Sequence, residues 1–126
     1  MAITYSTTAK NARLDAVAAL IDGGAGAGKL EICTAGYASI LATITLADPS
    51  AAAASGGVLT FSSFPRSDSS ADGTGTAAVA RFRDSNNVDV ITGLTVGLSA
   101  SDVIIDNTSI VTGQVVTVNS ASITHA

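Results

Sequence analysis

The sequence predicts a mainly β domain: an antiparallel β-sandwich or jelly-roll-like barrel with one N-terminal α-helix. Three observations predict it. Helical periodicity occurs once, near the start of the chain. From Gly28 onward the apolar residues fall in short runs alternating with polar ones. Clusters of Gly, Asn, Asp and Ser separate those runs at close intervals, the pattern of many short strands joined by turns. At 126 residues the chain suits one domain, 1–126.

The helix is expected over about 8–22. Leu14, Val17, Leu20 and Ile21 recur at three- and four-residue spacings, with Ala9, Ala12 and Ala16 beside them. Ser6, Thr7 or Thr8 can cap its start by accepting a backbone N–H. Gly23 and Gly24 are expected to stop it in the left-handed conformation. Lys10, Asn11, Arg13 and Asp15 suit its exposed face.

Strands are expected from about 29 to 124. Lys29–Thr34 alternates with Leu30 and Ile32 on one face and Cys33 on the other. Ile40–Leu46 groups Ile40, Ala42, Ile44 and Leu46, and Asp48-Pro49 ends it. Ala51–Ala54 suits one helical turn, broken by Ser55-Gly56-Gly57. Val58–Phe61 is a short strand. The Ser-, Asp- and Gly-rich stretch 62–75 reads as a flexible loop. Thr76–Arg83 puts Val79, Arg81 and Arg83 on one face and Ala78, Ala80 and Phe82 on the other. Asp84-Ser85-Asn86-Asn87 is a hairpin turn into Val88–Ile91, because Asn and Asp tolerate positive φ and bond their own backbone. Leu94–Val96, Val103–Ile105 and Val115–Val118 follow; the last runs on to Ile123 after a turn at Thr112-Gly113-Gln114.

Charge limits function. Charged residues are 13% of the chain, against an ordinary share of about 25%, and the net charge is −4. Nucleic-acid binding is not expected, since neutralising phosphates needs clustered Lys and Arg. Cys33 stands alone, which excludes an internal disulfide, and with His125 it makes too few ligands for a Cys/His zinc site. No metal and no cofactor are expected. The first residues lack the charged and apolar regions of a signal peptide, and no apolar run approaches the ~20 residues of a membrane span. A soluble protein made in a cytoplasm is expected.

Motif by motif, catalytic chemistry does not assemble. Gly23, Gly28 and Lys29 match the spacing G-x-x-x-x-G-K, but Leu30 stands where a hydroxyl must meet magnesium. The order helix–loop–strand also inverts that of a phosphate loop, so a flexible linker is the expected role. Ser67–Gly73 offers Asp68 and Asp72 but no third carboxylate for calcium. Cys33 reads as a buried thiol whose one candidate base, His125, is expected at a frayed end. No Ser lies in a G-x-S-x-G context. An enzyme is not expected.

Interface residues are the better candidates. Arg81 and Arg83, on one strand face with Val79, suit a phosphate or a partner's carboxylate, Arg being enriched at interfaces, or else a plain solvent-facing strand. Ile3 and Tyr5 lie in the segment Met1–Thr7, which suits strand addition to a neighbouring subunit. Both lysines, Lys10 and Lys29, lie outside the later strands, so the edges of those strands are expected to rely on partners for cover. Weakly charged strand faces rich in Thr, Ser and Ala suit permanent packing in an assembly.

Asn11–Val17, Gly28–Ile32, Ala52–Val58, Ala80–Asp84 and Thr112–Val118 resemble segments of small structural proteins of tailed bacteriophages. The similarity is spread over nearly the whole chain. It implies a non-enzymatic virion protein with a β-rich fold. A capsid decoration or cement protein, bridging major capsid subunits as a homo-oligomer, often a trimer, is the first expectation. A neck, head–tail connector or tail protein is the alternative. A small β-sandwich that binds carbohydrate or another ligand is more remote, because stacking aromatics are few.

Overall fold

A computed structural model describes residues 3–125. Ser6 takes an extended conformation and its Oγ accepts the Ala9 N–H at 3.1 Å, so α1 (Thr7–Ile21) starts one residue earlier than its periodicity predicts. Its end corrects the glycine expectation. Asp22 closes the helix in the right-handed region, donating its N–H to Ala18 at 3.0 Å, and neither Gly23 nor Gly24 takes positive φ. The buried stripe is Leu14, Ala18 and Ile21, with Val17 packed beside it; Leu20, expected inside, is 63% exposed. Two polar residues fix the helix to the segment 54–57. Asn11 Oδ1 accepts the Gly57 N–H at 2.9 Å and Asp15 Oδ1 the Ala54 N–H at 2.8 Å. Ala51–Ala54 is not helical: Ala51 bridges to Phe61 instead.

The remaining elements are strands: β1 (Lys29–Cys33), β2 (Ile40–Thr45), β3 (Val58–Thr60), β4 (Arg66–Asp68), β5 (Gly75–Thr76), β6 (Val79–Arg83), β7 (Asp89–Gly97), β8 (Val103–Ile105), β9 (Ser109–Ile110) and β10 (Val116–Thr124), with a 3-10 turn at Ala35–Tyr37. β5 and β9 form a small separate pair. The others form one sheet in the order β2-β1-β6-β7-β8-β10-β3, with β4 also on β10. The sheet curls into a half-barrel. Its inner face carries Leu30, Ile32, Ile44 and Phe82, the last stacked on Phe61 at 4.2 Å. The glycine-rich linker is tied down. A Cβ on Gly28 would lie 2.4 Å from Ile21 Cγ2 and 2.7 Å from its carbonyl, so only glycine lets the chain pass from helix to sheet there.

The β6–β7 hairpin forms as predicted. Asp84 Oδ1 accepts N–H bonds from Asn86 and Val88 at 2.8 and 3.0 Å, and Asn87 takes φ 63°. The segments 88–91 and 94–96, expected apart, run on as the single strand β7, with its pairing to β6 shifted twice along the ladder. The sheet is mixed, not wholly antiparallel: β7 and β8 pair in parallel through Val96↔Val103 and Gly97↔Ile104. Parallel neighbours ordinarily need a crossover of about a dozen residues. Here residues 98–102 suffice because only two residues pair and a side-chain clasp closes the loop. Asp102 Oδ2 accepts from the Thr95 N–H at 3.0 Å and from its hydroxyl at 3.1 Å, while Thr95 Oγ1 accepts the Asp102 N–H at 3.0 Å.

The stretch 62–75 is not a free loop. It contributes β4 and β5, and Ala71 within it is buried. It also covers the outer edge of β2. Asp72 donates its N–H to the Leu41 carbonyl at 2.8 Å, Asp68 Oδ2 accepts the Thr43 N–H at 3.0 Å, and Arg66 Nε donates to the Thr45 carbonyl at 2.8 Å. Two side chains and one backbone N–H thus stand in for a missing strand. The expectation that edges wait for partners is corrected at β2, whose edge groups the chain itself satisfies.

Candidate functional site

Alternation along β1 turns Leu30 and Ile32 inward, which puts Lys29, Glu31 and Cys33 on the outer face. Register then builds rows across the sheet. Thr45, Lys29 and Arg83 are successive partners on β2, β1 and β6; Thr43, Glu31 and Arg81 form the next row. β4 extends both rows past the β2 edge, Arg66 bonding Thr45 and Asp68 bonding Thr43.

Glu31 is the centre of the second row. It is 5% exposed and one of two buried polar residues among those described. Its Oε1 lies 2.7 Å from Arg81 Nε and 3.5 Å from Arg83 Nε, and Arg83 Nε donates to Asp89 Oδ1 at 2.6 Å. A carboxylate this buried stays charged only if cations answer it. The Arg81 guanidinium also lies 5.2 Å over the Tyr37 ring, whose hydroxyl donates to the Ala80 carbonyl at 3.3 Å and accepts the Gly93 N–H. Burial works to lower the Arg81 pKa, but the hydrogen bond and charge of Glu31 outweigh it and raise it. Burial raises the Cys33 thiol, partly offset by the positive charge of Arg81. Cys33 is fully buried, as its place in the strand predicts.

Where the rows reach β4, a hollow of about 490 Å³ opens between β2 and residues 63–69. Thr43, Thr45, Ser63, Arg66 and Ser69 line it, with the Pro65 ring at one side. Its walls are hydroxyls, the Arg66 guanidinium and the Asp68 carboxylate, with no aromatic ring among its lining residues.

The other candidates lie apart from this face. Ile3 is 84% exposed and Tyr5 42%; Met1 and Ala2, part of the same expected strand-adding segment, lie outside the described residues. The Tyr5 ring meets Arg13 at 4.5 Å and the His125 ring edge-on at 5.6 Å. His125 also donates its N–H to the Gly57 carbonyl at 2.9 Å, so the frayed end expected there is an anchored one. Asp68 and Asp72 converge on Thr43, whose hydroxyl Asp72 accepts at 3.0 Å, and they serve the β2 edge. Among the described residues no group of three or more His, Cys, Asp or Glu is placed to hold a metal, and no helix is long and apolar enough to cross a membrane.

The alternation in Thr76–Arg83 places Arg81 and Arg83 together, as expected. It gives no hint that the carboxylate they meet is the chain's own Glu31. That pairing joins strands fifty residues apart, and register across such a distance is not written in either segment. The local signal was the charge itself: one Glu within Lys29–Cys33, between two core residues, needs a cation on the neighbouring strand.

No protein-family model, no curated protein and no solved structure matches the chain.

Proposed function

We propose that this chain is a non-enzymatic structural protein of a tailed-phage virion, a decoration or cement protein that bridges major capsid subunits as a homo-oligomer. One observation carries the reading. Nine of the ten acidic residues make bonds within the chain: Asp15, Asp22, Asp68, Asp84, Asp102 and Asp106 to backbone N–H groups, Asp72 to a hydroxyl, and Glu31 and Asp89 to arginines. Carboxylates deployed as pegs favour a mechanical role over acid–base work. The exposed apolar side chains of Ile3, Leu20, Leu98, Val111 and Val115 fit contact surfaces rather than a freely diffusing exterior. Read as an opened jelly-roll-like barrel, the half-barrel would present its outer face and α1 to shell subunits. Mechanism on this reading is buried area repeated over many copies, with no bond made or broken; an ordinary interface buries ~1,600 Å².

The test is a phage lacking this gene, its virions heated beside the parent's. Earlier loss of packaged DNA from otherwise complete heads supports a cement role. Intact, heat-stable heads without tails would move the protein to the neck or tail, and unchanged virions would remove it from the particle.

A further inference from the structure

We propose that the outer face of β2, β1 and β6 docks an extended, acidic segment of a protein partner, laid along the row Arg66–Lys29–Arg83 with one end against Arg66 at the mouth of the hollow. The assignment goes beyond the virion reading, because it fixes the chemistry of the ligand whatever assembly supplies it.

Four of the six basic residues, Lys29, Arg66, Arg81 and Arg83, collect on this one face of a chain whose net charge is −4. The register sets Thr45, Lys29 and Arg83 side by side on successive strands, and Arg66 reaches the Thr45 carbonyl from beyond the edge. Neighbouring strands lie about 4.8 Å apart, so the row offers cations over roughly 10–15 Å. Carboxylates on alternate residues of an extended peptide recur at about 6.6 Å, so two or three of them span the same length.

Donors are available chiefly at Arg66 and Lys29, the Arg81 and Arg83 side chains being only 14% and 21% exposed. Arg66, Arg81 and Arg83 each make their internal hydrogen bond through Nε, and no hydrogen bond among the described residues uses their terminal nitrogens. Those nitrogens form the edge that suits carboxylates. Lys29 Nζ is held at 2.8 Å by the neutral Asn87 Oδ1, which positions the ammonium without cancelling its charge. In the hollow, no hydrogen bond among the described residues occupies the hydroxyls of Thr45, Ser63 and Ser69.

The face also carries Glu31, Asp68, Asp72 and Asp89; Glu31 and Asp89 pair Arg81 and Arg83, so Lys29 and Arg66 are the cations of the row that no carboxylate answers among the described residues. These interleaved acids argue against a phosphodiester strand, which presents a charge at every step and gains affinity from uninterrupted cations. A peptide can set neutral residues opposite them.

The experiment titrates the full ¹⁵N-labelled chain with a capped peptide of alternating Glu and Thr. Its Gln/Thr analogue and an oligothymidylate of similar length serve as comparisons. Saturable amide shifts in Lys29–Glu31, Thr43–Thr45, Arg66–Asp68 and Arg81–Arg83, given by the Glu peptide and weakened by salt, are expected. Lys29→Gln should weaken binding by about threefold and Lys29→Gln with Arg66→Gln by about tenfold, while Lys10→Gln on α1 changes nothing. Lys29 has one internal bond, to an exposed turn residue, so its variant folds and keeps the test valid should the double variant fail. Equal binding of the Gln peptide, tighter binding of the oligonucleotide, shifts confined to other faces, or no shifts at all would each overturn the assignment.

Discussion

Glu31 shows how much of this fold one buried charge organises. Its carboxylate faces two guanidiniums whose side chains are themselves only 14% and 21% exposed. Removing Glu31 from this set leaves Arg81 desolvated and without its carboxylate, while Arg83 keeps Asp89. Glu31→Gln is therefore expected to cost about 2–4 kcal/mol, read as a lowered urea midpoint at unchanged slope. Arg83→Lys should cost less, since Arg83 stands 3.5 Å from Glu31 and retains Asp89 as its closer partner. Equal losses would mean that packing, not charge, sets the cost. Next to Glu31 on the same face, Cys33 gives the pH dependence its sign. Burial raises its thiol above the ordinary 9.0, so the folded state holds the proton more tightly than the unfolded one. The stability this lends is whole below about pH 9 and is lost as pH climbs through the raised folded value. Unfolding free energies followed from neutral to alkaline pH should fall more steeply for the parent than for Cys33→Ala. Parallel curves would show that the thiol contributes no such term.

At the scale of elements, the seam between β2 and β4 decides whether the sheet has an open edge. Asp68 accepts the Thr43 N–H at 3.0 Å and the Ser70 N–H at 3.1 Å, so one carboxylate holds both sides of the seam. Asp68→Ala leaves the Thr43 N–H unanswered, at an expected cost of about 1–3 kcal/mol. It also exposes Ile40–Thr45 as a pairing template, so sedimentation should show self-association beyond that of the parent chain, rising with concentration. An unchanged midpoint and an unchanged sedimentation profile would show that the edge is not held there. None of this was legible in 62–75, where Ser, Asp and Gly carry the same composition whether a segment floats or caps an edge. What was legible was local. The periodicity of Leu14, Val17 and Ile21 gave the helix, Asp84–Asn87 gave the hairpin, and alternation paired Arg81 with Arg83 on one face. Leu20 shares the helical spacing yet lies 63% exposed, because spacing along a helix does not say how wide a stripe its neighbour covers. The parallel β7–β8 pair was hidden because the clasp joins Thr95, inside a strand, to Asp102 at the end of the following loop, and neither segment by itself shows that the two meet.

For the whole molecule, β10 is the strand on which the second half of the sheet depends. Val118 pairs with Ile105 of β8 on one side and Arg66 of β4 on the other, and Ser122–Thr124 pairs with β3. Three strands that share no other long ladder therefore meet on one C-terminal segment. β4 in turn carries the cover of the β2 edge, so the half-barrel is completed only once 116–124 is in place. Contacts of such long sequence separation are slow to form, because loop closure must precede the contacts that reward it. A chain ended at Val115 should lack the cooperative unfolding transition of the parent. A synthetic peptide of residues 116–126 added in trans should restore it, since β10 supplies pairing and the buried side chains of Val116, Val118 and Ala121 rather than a covalent tie. Restoration by that peptide, and not by one with Val116 and Val118 changed to Asp, would place the organising energy in the inward face of β10. A truncated chain that unfolds cooperatively by itself would instead show that α1 and the strands before residue 116, β2-β1-β6-β7 foremost, form a sufficient core without β10.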